Sequence, residues 1–128
     1  MKTVAKELPQ YDYLYYGDTA NLPYGDKTEA EIFSLTKAGI ETLFQADCAL
    51  VIIACNTASA ETLRKLQDDF LAKHYPDRRI LGVIIPTIEE MIESGAKRAL
   101  LLATRRTVES GKYPMELQKH DAKGITLY

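Results

Sequence analysis

Cys55 stands at the end of the apolar run ALVIIA, residues 49–54, and is followed at once by Asn56 and Thr57. If the run is a strand and the next residues open a helix, the thiol sits where helix-terminal N–H groups lack partners. The macrodipole there favours negative charge. A cysteine so placed is more readily a thiolate than a free one, whose pKa is about 8.5. Asn56 and Thr57 bring side-chain donors, and the backbone N–H groups that follow suit a carboxylate. Ser59 offers one more hydroxyl or an alternative helix cap. The plainer alternative is a small buried apolar side chain, since free cysteine is among the most buried residue types.

The elements that must position this group follow from the pattern of the chain. Residues 12–16, DYLYY, read as a strand, and GDTANLPYGD after them as a loop with two glycines and a proline. From Thr28 to about Phe44, Ile32, Leu35, Gly39 and Leu43 recur at helical spacing. Residues 49–54 are a continuous apolar run, as in a central parallel strand buried on both faces. A helix is predicted from about Ala58 to Lys73, then a strand at 80–84. A short helix opening at Pro86-Thr87 runs through Glu93. A strand at 98–103 leads to a helix at roughly 107–119, broken at Gly111 or Pro114. GITLY closes the chain as a fifth strand.

Strands alternating with helices in this way predict βαβ units, an α/β fold with a parallel sheet covered on both sides, in a single domain. Ligands of such folds lie beyond the carboxyl ends of the strands. GDTANLPYG follows the first strand, CNTAS the second, IPT the third and TRRT the fourth. All four polar clusters therefore fall on one edge, which is where a site is expected.

Composition narrows the function classes. The chain has 128 residues, 46% hydrophobic and 27% charged, an ordinary globular mix. A net charge of −2 provides no basic face for nucleic acid. No apolar run is long enough to span a bilayer, and the N-terminal residues lack the apolar stretch of a secretion signal. The two cysteines, Cys48 and Cys55, are seven residues apart along or beside one strand, which disfavours a disulfide. Reduced thiols and a cytoplasmic location are expected. His74 and His120 read as a helix cap and a surface residue, with no metal-ligand spacing around either. Tyr11, Tyr13, Tyr15 and Tyr16 suit the two faces of one strand better than a base-stacking surface. Asp18 either orients a substrate ammonium or caps its own loop. Arg105 and Arg106 either attract an anionic substrate or are solvated.

The segment VIIACNTASAETLRKLQ resembles the first cysteine motif of the glutamate racemases, in the wider aspartate/glutamate racemase superfamily. YYGDTANLPYGDKT is similar to the racemase segment that wraps substrate with a Pro-Tyr-Gly turn. ILGVIIPT resembles the next strand and turn, and LLATRRTVESGKYP the Ala-Thr-x-x-Thr segment. These matches occur in order and reach to about Tyr113 or beyond. The resemblance implies a flavodoxin-like lobe of a two-lobed fold, and a cofactor-independent enzyme that interconverts L- and D-glutamate for peptidoglycan.

On that resemblance Cys55 is one proton-transfer base, and Asn56 and Thr57 hold polar groups of the substrate. Pro23, Tyr24 and Gly25 contribute through the turn, and Thr104 or Thr107 binds at the far strand end. Neither a metal nor a cofactor is implied, and the partner is a small molecule, glutamate. Self-association is left open. Two departures stand out. Racemases open on a strand ending in an Asp-Ser-Gly-x-Gly-Gly loop, whereas this chain starts with MKTVAKELP, similar to the helix after that loop. Their second catalytic cysteine lies in a Gly-Cys-Thr-His motif of a second lobe, which this sequence does not contain. Cys48 precedes its strand, at the opposite edge, and is expected to be structural. The chain is thus expected to be a first lobe shortened at both ends and inactive alone. The competing readings are an aspartate or related racemase, and a non-catalytic flavodoxin-like module for ligand binding or protein interaction.

Overall fold

The computed structural model describes residues 2–120, 122 and 124–128. Helix α1, Lys2–Glu7, buries no residue. An extended stretch leads to two single 3-10 turns, Thr19–Asn21 and Tyr24–Asp26. Helix α2, Glu29–Gln45, starts at Thr28 through a reciprocal cap. The Thr28 hydroxyl accepts from the Glu31 N–H, and the Glu31 carboxylate accepts from the Thr28 N–H at 2.8 Å. Helical spacing then turns Ile32, Thr36, Gly39, Ile40 and Phe44 inward.

Strand β1, Leu50–Ile53, leads into α3, Asn56–Lys65, which continues through a π-helical turn, Leu66–Leu71, into α4, Ala72–His74. Then come β2, Arg79–Gly82, α5, Ile84–Glu93, and β3, Arg98–Ala99. Helices α6, Arg105–Glu109, and α7, Lys112–Lys119, precede β4, Thr126–Leu127. Strands β1 and β2 pair in parallel from Leu50↔Arg79 to Ile53↔Gly82. Strands β3 and β4 pair in parallel as a second ladder. The α/β class with parallel pairing is therefore the one the chain adopts. Among the described residues, no helix is long and apolar enough to cross a membrane.

Two hydrophobic clusters hold these elements. One gathers Ile32, Ile40, Phe44, Val51, Ile53, Leu66, Phe70 and Ile80, with Ala58 of α3. The other gathers Ile84, Ile88, Tyr113 and Leu117, with Ala60 of the same helix. Ile32, Leu66, Ile80 and Ile88 are fully buried, each worth about 1.5–3 kcal/mol relative to exposure. Cys48 packs against the first cluster, and both cysteines are free thiols.

Several expectations need correction. Residues 12–16 form no strand and have no ladder partner among the described residues, and Tyr11, Leu14, Tyr15 and Tyr16 are exposed rather than packed on a sheet. Strand β1 is not buried on both faces. Val51 and Ile53 point inward, while Leu50 and Ile52 are about half exposed, as is Leu81 of β2. The apolar run 98–103 contributes only Arg98 and Ala99 to a ladder, and Leu100 and Leu102 are exposed. Helix α3 starts at Asn56, earlier than Ala58, and α5 at Ile84, ahead of Pro86. A proline in the first turn costs no intrahelical bond, because N–H groups there have no acceptor.

Candidate active site

Three of the four polar clusters meet at the carboxyl edge of β1. Cys55 is the N-cap of α3, with extended backbone (φ −101°, ψ 122°) and an exposed thiol that caps nothing. Its carbonyl accepts the first helical bond, from the Ser59 N–H at 2.9 Å. The N–H groups of Asn56, Thr57 and Ala58 have no acceptor within the helix, so they and the dipole favour an anion beside the thiol. Ser59 is not part of this group. Its hydroxyl is buried and donates to the Ile53 carbonyl at 3.0 Å, tying α3 to the end of β1.

Thr57, Thr104 and Thr107 form a closed triangle of hydroxyls. Thr57 Oγ1 lies 2.9 Å from Thr104 Oγ1 and 3.3 Å from Thr107 Oγ1, and the last two are 3.1 Å apart. Thr104 also caps α6, accepting from the Thr107 N–H. Thr57 and Thr107 are buried, whereas Thr104 is exposed and is the member that can turn to a ligand. The triangle thereby locks the first turn of α6 onto that of α3.

The Pro-Tyr-Gly turn lies against the same two helix starts. Pro23 precedes the 3-10 turn, in extended conformation. A Cβ on Gly25 would come within 3.1 Å of Thr104 Cβ and Cγ2, so the turn approaches this threonine as closely as a bare backbone permits. Arg106 fixes the turn from behind. Its Nε donates to the Lys27 carbonyl at 2.9 Å, and its Nη1 lies 3.9 Å from Glu61 of α3. Of the two readings of the arginine pair, Arg106 takes neither; it fastens loop to helices.

Asp18 caps its own loop. It accepts from Asn21 Nδ2 at 2.7 Å and from the Tyr24 hydroxyl at 2.8 Å, and these bonds lower its pKa. Burial pushes the Tyr24 phenol above its ordinary range, and the bond to Asp18 adds to that shift, as does a negative charge on nearby Cys55. Tyr24 therefore remains a neutral donor beside the thiol. The Asp18 contribution to stability holds above the ordinary carboxylate pKa and is lost as pH falls through its lowered value. The Tyr24 contribution is complete below the ordinary phenol pKa and is lost as pH rises through its raised value. The contribution of the bond to stability is thus complete from about pH 4 to about pH 10. Tyr24→Phe is expected to remove the last-ionising phenol from an alkaline ultraviolet titration; an unchanged high-pH limb would contradict the shift.

The fourth cluster does not join the site. The Thr87 hydroxyl donates to the Val83 carbonyl at 2.7 Å within α5. His74 is exposed at the end of α4 with its ring 5.6 Å from that of Phe70, and His120 is exposed at the C-cap of α7. Among the described residues, no three His, Cys, Asp or Glu side chains are grouped to hold a metal ion. A concavity of about 500 Å³ that does not include Cys55 is lined by a mixture of charges from Glu29, Glu61, Arg64, Lys65, Asp69 and Lys112. Sequence reasoning missed Arg106 as a clamp and Tyr113, whose hydroxyl reaches Asn56 Oδ1 at 2.8 Å. The burial of Tyr113 at helical spacing from Leu117 was the only sequence signal available.

No family model matches the chain. The glutamate racemase of Ruegeria pomeroyi is 39% identical over 91% of this chain and 46% of its own length, and that of Paracoccus denitrificans gives the same figures. The chain thus spans about half the length of the curated relatives it matches. Among solved structures, the glutamate racemase of Aquifex pyrophilus superimposes with a TM-score of 0.84 at 28% identity. It covers 98% of this chain and 48% of its own. That of Francisella tularensis, in complex with D-glutamate, gives 0.82 at 28% identity, over 99% of this chain and 45% of its own. By sequence and by fold alike, the chain is similar to the glutamate racemases over just under half of their length.

Proposed function

We propose that this chain is the first lobe of a cofactor-independent glutamate racemase and that Cys55 is the base on one face of the substrate. The observation that carries the reading is the position of Cys55. An exposed thiol starts α3 beside Asn56 and the threonine triangle, at the edge where three separate segments of the chain converge. The α-proton of an amino acid is weakly acidic, so its removal needs both a base and a place for the charge that develops. The Cys55 thiolate takes the proton, breaking the Cα–H bond and forming S–H. The bonding pair moves into the carboxylate as enediolate-like charge. Donors from Asn56, Thr104 and the first N–H groups of α3 meet that charge, and one well-aimed donor of this kind is worth about 3–4 kcal/mol. Tyr24 and Gly25 close the site from the loop side, with Pro23 setting the approach of the turn.

Inversion needs a proton delivered to the opposite face, by a group that faces Cys55 across the substrate. In this reading a second lobe supplies it, which accords with relatives about twice as long. The D-glutamate in the complex of the Francisella tularensis neighbour supports glutamate as the substrate, and the place of the reaction would be peptidoglycan precursor synthesis in the cytoplasm. The test is proton–deuterium exchange at the α-carbon of D- and L-glutamate in D2O, read by NMR, with optical rotation followed in parallel. On its own this chain is expected to invert neither enantiomer, and any exchange is expected to be confined to one enantiomer and to depend on Cys55. Inversion by the chain alone would remove the need for a second lobe. Exchange undiminished in Cys55→Ala would remove the thiol from the mechanism.

A further inference from the structure

Tyr113 stands 57 residues from Asn56, yet its hydroxyl is 2.8 Å from the Asn56 side-chain oxygen. The break between α6 and α7 creates that contact. Gly111 adopts a left-handed conformation (φ 62°), and Ser110 turns its hydroxyl to the Thr107 carbonyl at 2.7 Å, so α7 leaves in a new direction. Tyr113, in the first turn of α7, then enters the cluster of Ala60, Ile84, Ile88 and Leu117, where only 4% of it is exposed. Its ring is core, and its one polar atom emerges beside the first residue of α3.

A carboxamide has an acceptor side and a donor side, and an unrestrained one turns either side outward. A phenol donates well, and an amide oxygen is its natural acceptor. With Oδ1 engaged by Tyr113, the two N–H groups of Nδ2 are left for whatever sits beside Cys55. The reverse orientation would aim a carbonyl oxygen at an anion and repel it. We propose that Tyr113 is a positioning residue that holds the Asn56 carboxamide with its NH2 group turned toward the substrate carboxylate. This rests on the racemase reading for the identity of the carboxylate, while the hydrogen bond itself does not.

The test uses the isotope-labelled chain with D- and L-glutamate as probes, in four forms: unaltered, Tyr113→Phe, Asn56→Ala and both together. Phenylalanine keeps the ring in its cluster, so thermal unfolding serves as the control for packing. Independently of any ligand, the carbon-13 resonance of the Asn56 side-chain carbonyl is expected to shift in Tyr113→Phe, because its donor is gone. Tyr113→Phe is expected to weaken binding of the preferred enantiomer by about fivefold to tenfold, the weight of one hydrogen bond. In the Asn56→Ala background the same change is expected to cost nothing further. An unmoved carbon-13 resonance overturns the hydrogen bond. An equal loss of affinity in both backgrounds overturns the positioning role in favour of a purely structural one. Failure of the unaltered chain to bind either enantiomer overturns the substrate half of the proposal, and leaves the carbon-13 result to decide the orientation.

Discussion

On the reading proposed above, with a second lobe joined to this chain, Cys55→Ser is expected to lower turnover in both directions by about 10²–10⁴-fold while leaving the fold unmoved. The two halves of that expectation have separate grounds. Cys55 is exposed and its side chain caps nothing, so its replacement removes no packed contact and no bond within the fold. Stability is therefore expected to change by no more than about 0.5 kcal/mol. The chemistry is another matter. An alcohol gives up its proton far less readily than a thiol, so serine fills the space without supplying a base near neutral pH. Racemisation needs both faces and fails in both directions. Exchange of the α-proton survives for the one enantiomer that presents it to the opposite face, where the group there removes it as a base and returns a solvent-derived proton to the same face. Polarimetry and α-proton exchange on the same sample separate these outcomes. A variant that keeps a tenth or more of the turnover would exclude Cys55 as the base.

The second large effect is expected at Gly82, far from any chemistry. Gly82 ends β2 opposite Ile53, where α3 crosses the ladder. A Cβ there would lie 2.8 Å from Leu63 Cδ2, 3.0 Å from Ser59 Oγ and 3.1 Å from Ser59 Cβ. Leu63 can swing its methyl aside. Ser59 cannot, since its hydroxyl is held by the Ile53 carbonyl and its carbon belongs to the helix. Gly82→Ala is thus expected to push α3 from the sheet and cost about 1–3 kcal/mol, read from the midpoint of urea unfolding. Gly39 provides the contrast. A Cβ there would meet Tyr16 Cε1 at 2.9 Å, but Tyr16 is an exposed side chain that is free to move. A helical alanine also recovers up to about 1 kcal/mol over glycine, so Gly39→Ala is expected to be close to neutral. Equal losses at the two positions would show that Ser59 is not the rigid neighbour described here.

How far the molecule was legible in its sequence depended on the range of the interaction. The runs 49–54 and 80–84 announced strands because they are apolar and consecutive, although only alternate residues of each strand are buried. The place of Cys55 followed from a strand end and a helix start, while its role came from the family resemblance. The span DYLYY has the composition of a strand, but pairing needs a partner that no local pattern can specify, and Tyr15 and Tyr16 stay exposed while Tyr13 turns its hydroxyl to the Leu8 carbonyl. The same limit shortened the run 98–103 to two paired residues. The threonine triangle spans 47 and 50 residues between Thr57 and its partners, and it was the family resemblance, together with the rule that loops gather at one sheet edge, that brought them into view. No comparable rule pointed to Arg106 or Tyr113, whose contacts with the Lys27 carbonyl and Asn56 span 79 and 57 residues.

Helix α3 gives Ala58 to one hydrophobic cluster and Ala60 to the other. The two clusters therefore share a wall rather than standing side by side, and neither can open without taking a face from its neighbour. One link between the halves of the chain is thus a ten-residue helix, the one that the thiol precedes. A disturbance in either core, however distant, reaches the reactive edge along it.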